Sequence, residues 1–231
     1  MMLKLYCGTR KYSSWSLRPW SLLREAAVPF DDIVIPFEAI PGSREFTDDF
    51  KEQASRVHPS SRVPVLHDGP IVVWETLAIC EYVSQEYCDG RLWPQDRLMR
   101  SLARSLATEL QSEFALIRST LPFWCTKQME RRVSLSGPVR VEWERLTRSM
   151  SRALEASGGP FLFGAYSVAD AMVLPMMSRA STYLDTTDSS IGAYLDFVLS
   201  RASYRDWVDA AHRETVVLPE LERHANNLPL I

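Results

Sequence analysis

Strand-like segments are confined to the first part of this chain. Alternating apolar and polar residues mark four short strands before residue 75, at 3–7, 30–36, 63–66 and 71–74. The last two flank Asp68-Gly69, a strong hairpin signal. A strand, a helix and a second strand in this order predict a right-handed βαβ unit with parallel strands. Together with a polar helix and the hairpin, the first part is predicted to be a βαβ-α-ββα domain.

The rest of the chain carries only helical periodicity. Turn formers and a proline over residues 88–94 read as a linker. We therefore expect an α+β/α two-domain fold, with a mixed domain over 1–87 and an all-α helical bundle over 95–231. Its predicted helices are 95–124, 139–156, one from 167 onward, 191–199 and 204–213.

Two helix starts carry recognisable caps. Ser16 is the expected N-cap of the first helix, because Pro19 is tolerated only near a helix start. Ser167 and Asp170 have the spacing of a capping box, in which the serine and the acid satisfy each other's backbone N–H groups. We assign this pair a structural role.

Composition excludes several classes of function. Lys and Arg total 26 against 29 Asp and Glu, so the formal charge of −3 gives no footprint for nucleic acid or an anionic membrane. No segment approaches the roughly 20 apolar residues that span a membrane, and the N-terminus lacks a signal-peptide pattern. Four scattered cysteines and four scattered histidines show no metal-binding spacing. We expect a cytoplasmic protein with reduced thiols and no metal.

Three short segments have the residue types of a ligand site. A cis bond at Val63-Pro64 would leave the backbone of Val63 free to pair with an extended peptide. Glu75-Thr76 stands where a strand ends and a helix begins, so Thr76 and the helix start suit a carboxylate, and Glu75 suits an ammonium. The plainer interpretation is that Thr76 only caps the helix.

The third segment is the serine-rich stretch Tyr12-Ser-Ser-Trp-Ser-Leu-Arg18. Hydroxyls at a helix start suit a bound thiolate, as the lowered pKa of cysteines at such positions shows. Lowering a thiol pKa by about 2 units requires about 2.7 kcal/mol, close to one charge-assisted hydroxyl bond. Capping remains the structural alternative for these serines.

Three motifs together resemble the cytosolic glutathione transferases, of bacterial, serine-containing and zeta/theta-like type. The likeness covers nearly the whole chain. The motifs are Arg62-Val-Pro-Val-Leu66 followed by Trp74-Glu-Thr-Leu-Ala-Ile79, then Tyr166-Ser-Val-Ala-Asp170, and Ser13-Ser-Trp-Ser-Leu-Arg18, which is similar to the S-S-C-x-W-R start of the zeta class.

The resemblance implies a thioredoxin-like first domain that binds glutathione and a helical domain that supplies an apolar substrate site. It makes Ser13 the catalytic serine, which would stabilise the glutathione thiolate by a hydrogen bond. It gives the remaining roles by position: Val63 holds the cysteinyl backbone before a cis-Pro64, Glu75 and Thr76 bind the γ-glutamyl unit, and Arg62 reaches the glycyl carboxylate.

Trp15 stands where the zeta class has cysteine, which argues against zeta-type isomerisation and against thiol transfer. The loop after Tyr6 is about two residues longer than in that class, so Ser14 or Ser16 are alternatives to Ser13. Tyr6 is a further rival, because other classes place a catalytic tyrosine near the end of the first strand.

The expected function is nucleophilic attack of the glutathione thiolate on a small hydrophobic electrophile. A glutathione-dependent isomerase of the maleylacetoacetate or maleylpyruvate type, a peroxidase, and a non-catalytic binding module are the alternatives. The expected partners are glutathione, the electrophile and a second copy of the chain in a homodimer, with no nucleic acid or membrane. Phe123 and Trp124 are candidate walls of the apolar site, at the end of the predicted 95–124 helix.

Overall fold

A four-stranded mixed sheet organises the first part of the chain. The computed structural model describes residues 2–43, 45–130, 132–185 and 190–229. The strands are β1 (Leu3–Gly8), β2 (Phe30–Ile35), β3 (Val65–Asp68) and β4 (Ile71–Trp74), in the order β2-β1-β3-β4. β1 pairs with β2 in parallel and with β3 in antiparallel orientation, and β3 and β4 form the predicted hairpin. The predicted βαβ-α-ββα order is confirmed.

Three helices complete this part: α1 (Ser14–Glu25), α2 (Asp48–Val57) and α3 (Thr76–Cys88). α2 begins later than the polar stretch suggested, because Thr47 is its N-cap and accepts the N–H of Phe50 at 3.3 Å. α3 ends one residue beyond the predicted end of the first domain.

Helices make up the second part, and no strand follows β4 in the ranges that the structure describes. This agrees with the expected all-α bundle. The helices are α4 (Arg97–Ser112), α5 (Ala115–Thr120), α6 (Gly137–Ser157), α7 (Val168–Tyr183), α8 (Ser190–Leu199), α9 (Ala202–His212) and α10 (Pro219–Asn226).

The helix predictions for this part contain one error and one omission. The 95–124 helix is broken into α4 and α5 at Phe114, whose φ of 62° is left-handed. The ring of Phe114 is buried and the guanidinium of Arg145 lies 4.7 Å from its centroid, so tertiary packing overrides the local helical pattern. α10 was not predicted; proline occupies its first position, where no backbone donor is needed.

The predicted N-cap Ser16 is also wrong, because α1 begins at Ser14 with Ser13 as its N-cap residue. Pro19 therefore lies inside the helix. Proline has no N–H, so the carbonyl of Trp15, four residues earlier, loses its intrahelical donor. The hydroxyl of Thr76 at the start of α3 donates to this carbonyl at 3.4 Å, which ties the starts of α1 and α3 together.

Helix α1 packs against β1, α3, α7 and α9 and is buried on nearly every side. Its side chains Leu17, Leu22 and Leu23 are fully buried in a core shared by both parts of the chain. The Nε of the equally buried Arg18 donates to the carbonyl of Met172 in α7 at 2.9 Å. The helical part thus completes the core that the sheet alone leaves open.

The predicted capping box at the start of α7 is confirmed. The carboxylate of Asp170 accepts the backbone N–H and the hydroxyl of Ser167, the N–H of Leu162 at 3.0 Å and the hydroxyl of Tyr194 at 2.8 Å. Burial raises the pKa of Asp170 to about 6, and these four donors oppose that rise.

Replacing the capping serine tests this role. We expect Ser167→Ala to lower the free energy of unfolding by about 1–2 kcal/mol, because the start of α7 and the buried carboxylate each lose a partner. Urea denaturation measures the change. The matched control is Ser105→Ala on the exposed face of α4, expected to stay within about 0.5 kcal/mol. Equal effects of the two substitutions would contradict the assignment.

Candidate active site

A cleft of about 730 Å³ lies between the sheet part and the helical part of the chain. One wall carries the start of α1 and the segment that precedes β3, and the other carries α5, the residues after it, α7 and α10. Apolar atoms form most of its surface. A cleft of this size between two parts of a fold is a common place for small ligands.

The predicted serines separate into two that face the cleft and one that does not. Ser13 and Ser14 line it, although each is over 90% buried. Ser16 is fully buried beneath them, where its oxygen accepts the N–H of Gly8 at 3.1 Å and the hydroxyl of Ser13 at 2.8 Å. Ser16 therefore holds the start of α1 against the end of β1, and the structure does not bring it to the cleft.

Ser14 has a different partner. Its oxygen accepts a hydrogen bond of 3.4 Å from Nη2 of Arg179 in α7. No acceptor for the hydroxyl of Ser14 is found among the described residues, so its proton is free for a ligand. The hydroxyl of Ser13, by contrast, is already directed at Ser16.

Val63 and Arg62 line the same cleft as Ser13 and Ser14. The Val63–Pro64 peptide bond is cis, as the resemblance implies, and Pro64 is buried behind it. The ladder of β3 begins only at Val65, so the backbone of Val63 takes no part in the sheet pairing. The side chain of Arg62 is exposed.

The structure places Glu75 and Thr76 beside the cleft rather than on its walls. Glu75 is the residue before α3, has a φ of 68°, and accepts a hydrogen bond of 3.1 Å from Gln111 of α4. Thr76 is buried and donates to the carbonyl of Trp15, as described above. This hydrogen bond to the backbone of Trp15 fixes the pair next to residues 13–16 at the start of α1, which we call the serine turn.

Two of the other candidates lie elsewhere. The ring of Tyr6 lies 4.8 Å from that of His67 and packs in the aromatic cluster on the α2 side of the sheet, but Tyr6 is not among the residues that line the cleft. Phe123 lines the cleft, whereas Trp124 packs near Tyr12 and is not among the lining residues. Phe123 and Trp124 lie in the loop that follows α5, so their predicted position at the end of a helix is wrong.

Two parts of the cleft were not predicted from the sequence: an aromatic wall on the sheet side and a helix that covers the opposite side. Phe37, Phe46 and Phe50 pack in tilted and edge-to-face contacts with ring centroids 4.7–5.4 Å apart, and they line the sheet side of the cleft. A Cβ at Gly8 would come within 2.2 Å of the Phe37 ring, so a side chain there would displace this ring from the wall. Opposite this wall, α10 covers the cleft with Leu221. The four-residue spacing of Phe46 and Phe50 was the one local signal for this aromatic wall in the sequence.

Three arginines surround the serine turn, and burial lowers the pKa of each. The pKa of Arg179 falls to about 9, and that of Arg18 falls well below its usual range. The pKa of the half-buried Arg118 is lowered as well. The guanidinium of Arg18 lies 4.1 Å from the ring centroid of Trp15, and that of Arg118 lies 5.4 Å from it. Of the three, Arg118 and Arg179 line the helical wall of the cleft, and Arg18 lies in α1 behind Trp15.

Within the described residues, no cluster of three or more His, Cys, Asp or Glu side chains is arranged to hold a metal ion. None of the described helices combines the length and apolarity needed to cross a membrane. All four cysteines are buried and unpaired.

Comparison with known proteins agrees with this architecture. Residues 12–86 match the family model of the glutathione S-transferase N-terminal domain. Mouse maleylacetoacetate isomerase is 24% identical over 181 residues, 78% of each chain. A glutathione S-transferase of Escherichia coli is 26% identical over 81 residues, 34% of this chain and 39% of that one. A solved glutathione transferase homolog from Burkholderia, with bound glutathione, superposes with a TM-score of 0.66 at 20% identity, covering 92% of this chain and 98% of that one.

These findings identify the class: residues 12–86 form a glutathione S-transferase N-terminal domain with a thioredoxin-like fold, and the chain as a whole is similar to members of that family, including their C-terminal helical part. The sequence resemblance is thereby confirmed, including its zeta-like character.

The buried Ser16 gives a test of the serine turn. We expect Ser16→Ala to lower the free energy of unfolding by about 1–3 kcal/mol, since the N–H of Gly8 would be left buried without an acceptor. Ser13→Ala is the matched control: it orphans no backbone group and is expected to cost under about 1 kcal/mol. Chemical denaturation measures the free energy of unfolding of both variants. A loss of stability in Ser13→Ala as large as that in Ser16→Ala would contradict a structural role for Ser16.

Proposed function

We propose that this protein is a glutathione-dependent enzyme in which the glutathione thiolate attacks a small electrophile. The observation that carries the proposal is the pair of serine hydroxyls at the start of α1, on a largely apolar cleft beside the backbone of Val63. The match to the glutathione S-transferase N-terminal domain supports the cosubstrate. The apolar surface supports a hydrophobic second substrate.

Glutathione carries one ammonium and two carboxylates, and groups of both signs lie around the serine turn. We assign the cysteinyl backbone to Val63 at the cis-Pro64 bond, because Val63 lies outside the strand ladder. The N-terminus of α3 at Thr76 attracts a carboxylate, and Glu75 is the acid beside it for the ammonium. The exposed Arg62 on the cleft edge is the cation assigned to the glycyl carboxylate.

Both Ser13 and Ser14 remain candidates for the hydrogen bond to sulfur, and the structure favours Ser14. Its hydroxyl proton is uncommitted among the described residues, and the guanidinium of Arg179 on its oxygen makes it a better donor. Ser13 would first have to turn away from Ser16. In the reaction a sulfur–carbon bond forms, the leaving group departs with its electron pair, and the thiol proton passes to water.

Single serine variants test this assignment. We expect Ser14→Ala to lower kcat/KM toward a generic benzyl halide by about 10–100-fold, the value of one hydrogen bond to a charged group. The apparent pKa of the bound thiol, followed by thiolate absorbance, should rise by about 1–2 units. We expect a smaller loss for Ser13→Ala.

The two readouts separate the possible outcomes. A larger effect of Ser13→Ala would move the role to that serine, and unchanged rates and thiol pKa in both variants would refute serine stabilisation. Absence of heat when millimolar glutathione is titrated into the native protein would refute the proposed function altogether and leave a non-catalytic module.

A glutathione-dependent isomerase is the second candidate, favoured by the similarity to maleylacetoacetate isomerase. It would use the same thiolate site, with addition to and release from a conjugated carbon–carbon bond in place of substitution. Trp15 lies where the zeta class has cysteine. Turnover of a cis-enedione acid without loss of glutathione would establish this reaction over the transfer.

We also propose a homodimer in the cytoplasm. Trp74 on the edge strand β4 and Leu98 and Leu102, one helical turn apart on α4, are 47–63% exposed. Exposed apolar side chains at a sheet edge and along one helix face are candidates for contact with a second copy of the chain. Four unpaired buried thiols fit a reducing compartment.

The dimer proposal has a direct test. We expect sedimentation analysis to give twice the chain mass for the native protein and the monomer mass for a Leu98→Asp, Leu102→Asp double variant, because two carboxylates cannot be buried at an apolar contact. Leu116→Asp, exposed on α5, is the matched control and should remain dimeric. A monomeric native protein would refute the proposal.

A further inference from the structure

The loop that joins β1 to α1, residues 9–13, is held by an acid from the far end of the chain. The backbone N–H groups of Arg10 and Lys11 in this β1–α1 loop both donate to the carboxylate of Glu214, at 3.0 and 3.1 Å. Each N–H uses a different carboxylate oxygen. Glu214 follows α9, and its side chain is only 14% exposed. One carboxylate therefore fixes two consecutive backbone N–H groups of the loop.

The other polar groups of Arg10 and Lys11 reach the helical part as well. Nη1 of Arg10 donates to the Glu214 carboxylate at 3.3 Å, and Nζ of Lys11 donates to the Glu214 carbonyl at 3.3 Å. The carbonyl of Arg10 accepts the indole N–H of Trp207 in α9 at 3.1 Å. The carbonyl of Lys11 accepts the N–H of Cys125 at 3.2 Å. The loop has no strand or helix pairing of its own, so these bonds determine its conformation.

Glu214 differs from the other acids at this loop. Asp32 and Glu222 contact side chains, the guanidinium of Arg10 and the hydroxyl of Tyr12 respectively. Among the described residues, Glu214 is the acid that binds the backbone of the loop. Hydrogen bonds to a charged acceptor are roughly twice as strong as neutral ones. Loss of the Glu214 carboxylate should therefore loosen the loop more than loss of either other acid.

The β1–α1 loop leads directly into the serine turn. The carbonyl of Thr9 accepts the N–H groups of Tyr12 and Ser13 at 3.1 and 2.9 Å, so the loop closes on itself around the two anchored residues. Ser13 is the N-cap residue of α1, and Ser14 is its first residue. A hydrogen bond from either hydroxyl weakens steeply with distance and angle. The position of both hydroxyls therefore depends on the conformation that Glu214 imposes on the loop.

We propose that Glu214 is a positioning residue for the glutathione thiolate. Its carboxylate fixes the β1–α1 loop so that a hydroxyl of the serine turn points at the sulfur. Glu214 is not among the residues that line the cleft, so it acts through the loop and without contact to either substrate. This inference rests on the proposed function. It gives the segment after α9 a part in the chemistry, in addition to the cover that α10 provides.

Positioning and simple electrostatics predict opposite results for Glu214→Gln. Removal of a negative charge near a thiolate would stabilise the thiolate and lower the thiol pKa. Loss of a well-placed hydroxyl donor would raise the thiol pKa instead. Glutamine has one acceptor oxygen where two N–H groups require two, so the loop loses an anchor as well as the charge. The direction of the pKa change therefore distinguishes the two effects.

The main experiment compares the native protein with Glu214→Gln. We expect the pKa of the bound glutathione thiol, followed by thiolate absorbance, to rise by about 0.5–1 unit. The rate kcat toward a benzyl halide should fall by about 3–10-fold at a pH below both thiol pKa values, and this loss should disappear above them. The KM for glutathione should stay within about twofold, because no contact to glutathione is removed.

Glu25→Gln is the matched control. Glu25 is the last residue of α1 and accepts hydrogen bonds of 2.7–2.8 Å from Arg201 and from the hydroxyl of Ser203. Its side chain is 8% exposed, so it too is a buried carboxylate that ties α1 to the helical part, but at the end of α1 opposite to the serines. We expect lowered thermal stability in both variants and the native thiol pKa in Glu25→Gln.

Hydrogen exchange tests the anchor without glutathione. We expect the amides of residues 9–13 to exchange at least about tenfold faster in Glu214→Gln, and at the native rate in Glu25→Gln. Glu214→Asp is the second variant, for use also where Glu214→Gln does not fold. It keeps the charge but is too short to reach both N–H groups from the same backbone position, so the thiol pKa should again rise.

The outcomes separate this inference from the proposed function. A native protein that binds no glutathione in calorimetry refutes the proposed function and the thiolate role of Glu214 together. If glutathione binds, an unchanged or lowered thiol pKa in the Glu214 variants overturns this inference alone. An equal rise of the thiol pKa in Glu25→Gln, or native exchange rates in the loop of Glu214→Gln, would overturn it as well.

Discussion

The burial of α1 between the sheet and the helical part is the constraint on which the rest of the structure depends. Short elements of the first domain cannot enclose this helix alone, so α7 and α9 cover its other faces. The hydrogen bond from Arg18 to the carbonyl of Met172 fixes α1 to α7, and the bond from Gly8 to Ser16 fixes it to β1. Both contacts lie in the first five residues of α1, so they determine where the start of this helix meets the cleft.

Backbone hydrogen bonding around Pro19 links that position to the second half of the site. The proline leaves the carbonyl of Trp15 without its helical donor, and a buried carbonyl without a partner is costly. Thr76 supplies the donor from the start of α3. A residue that would ordinarily disrupt a helix therefore joins the two helix starts that flank the proposed thiolate site.

The same arrangement concentrates positive potential where a thiolate would lie. The N-termini of α1 and α3 carry partial positive charge, and Arg118 and Arg179 add full charges from the opposite wall. Desolvation makes these charges costly in the free protein, which is the physical reason to connect them with bound anions.

Much of the fold could be predicted from local pattern, because alternation, helical spacing and turn chemistry act over a few residues. The hairpin at Asp68-Gly69 and the capping box at Ser167 were predicted in this way and are confirmed. The break at Phe114 was not, because it depends on a ring buried by distant packing. The candidate site was also predicted only in part. Ser13 and Ser14 reach the cleft, as their position at a helix start suggested.

By itself, the sequence determined the order of strands and helices in the first domain, the family likeness and the serines at the start of α1, because each depends on neighbouring residues. Only the tertiary structure decided which serine is buried, since the partner of Ser16 is the backbone of Gly8 in another element. It also decided that Arg118 and Arg179, far apart in the chain, face one cleft beside Ser14. Charges separated by many residues interact only after folding brings them within reach of each other, and no local pattern records that distance.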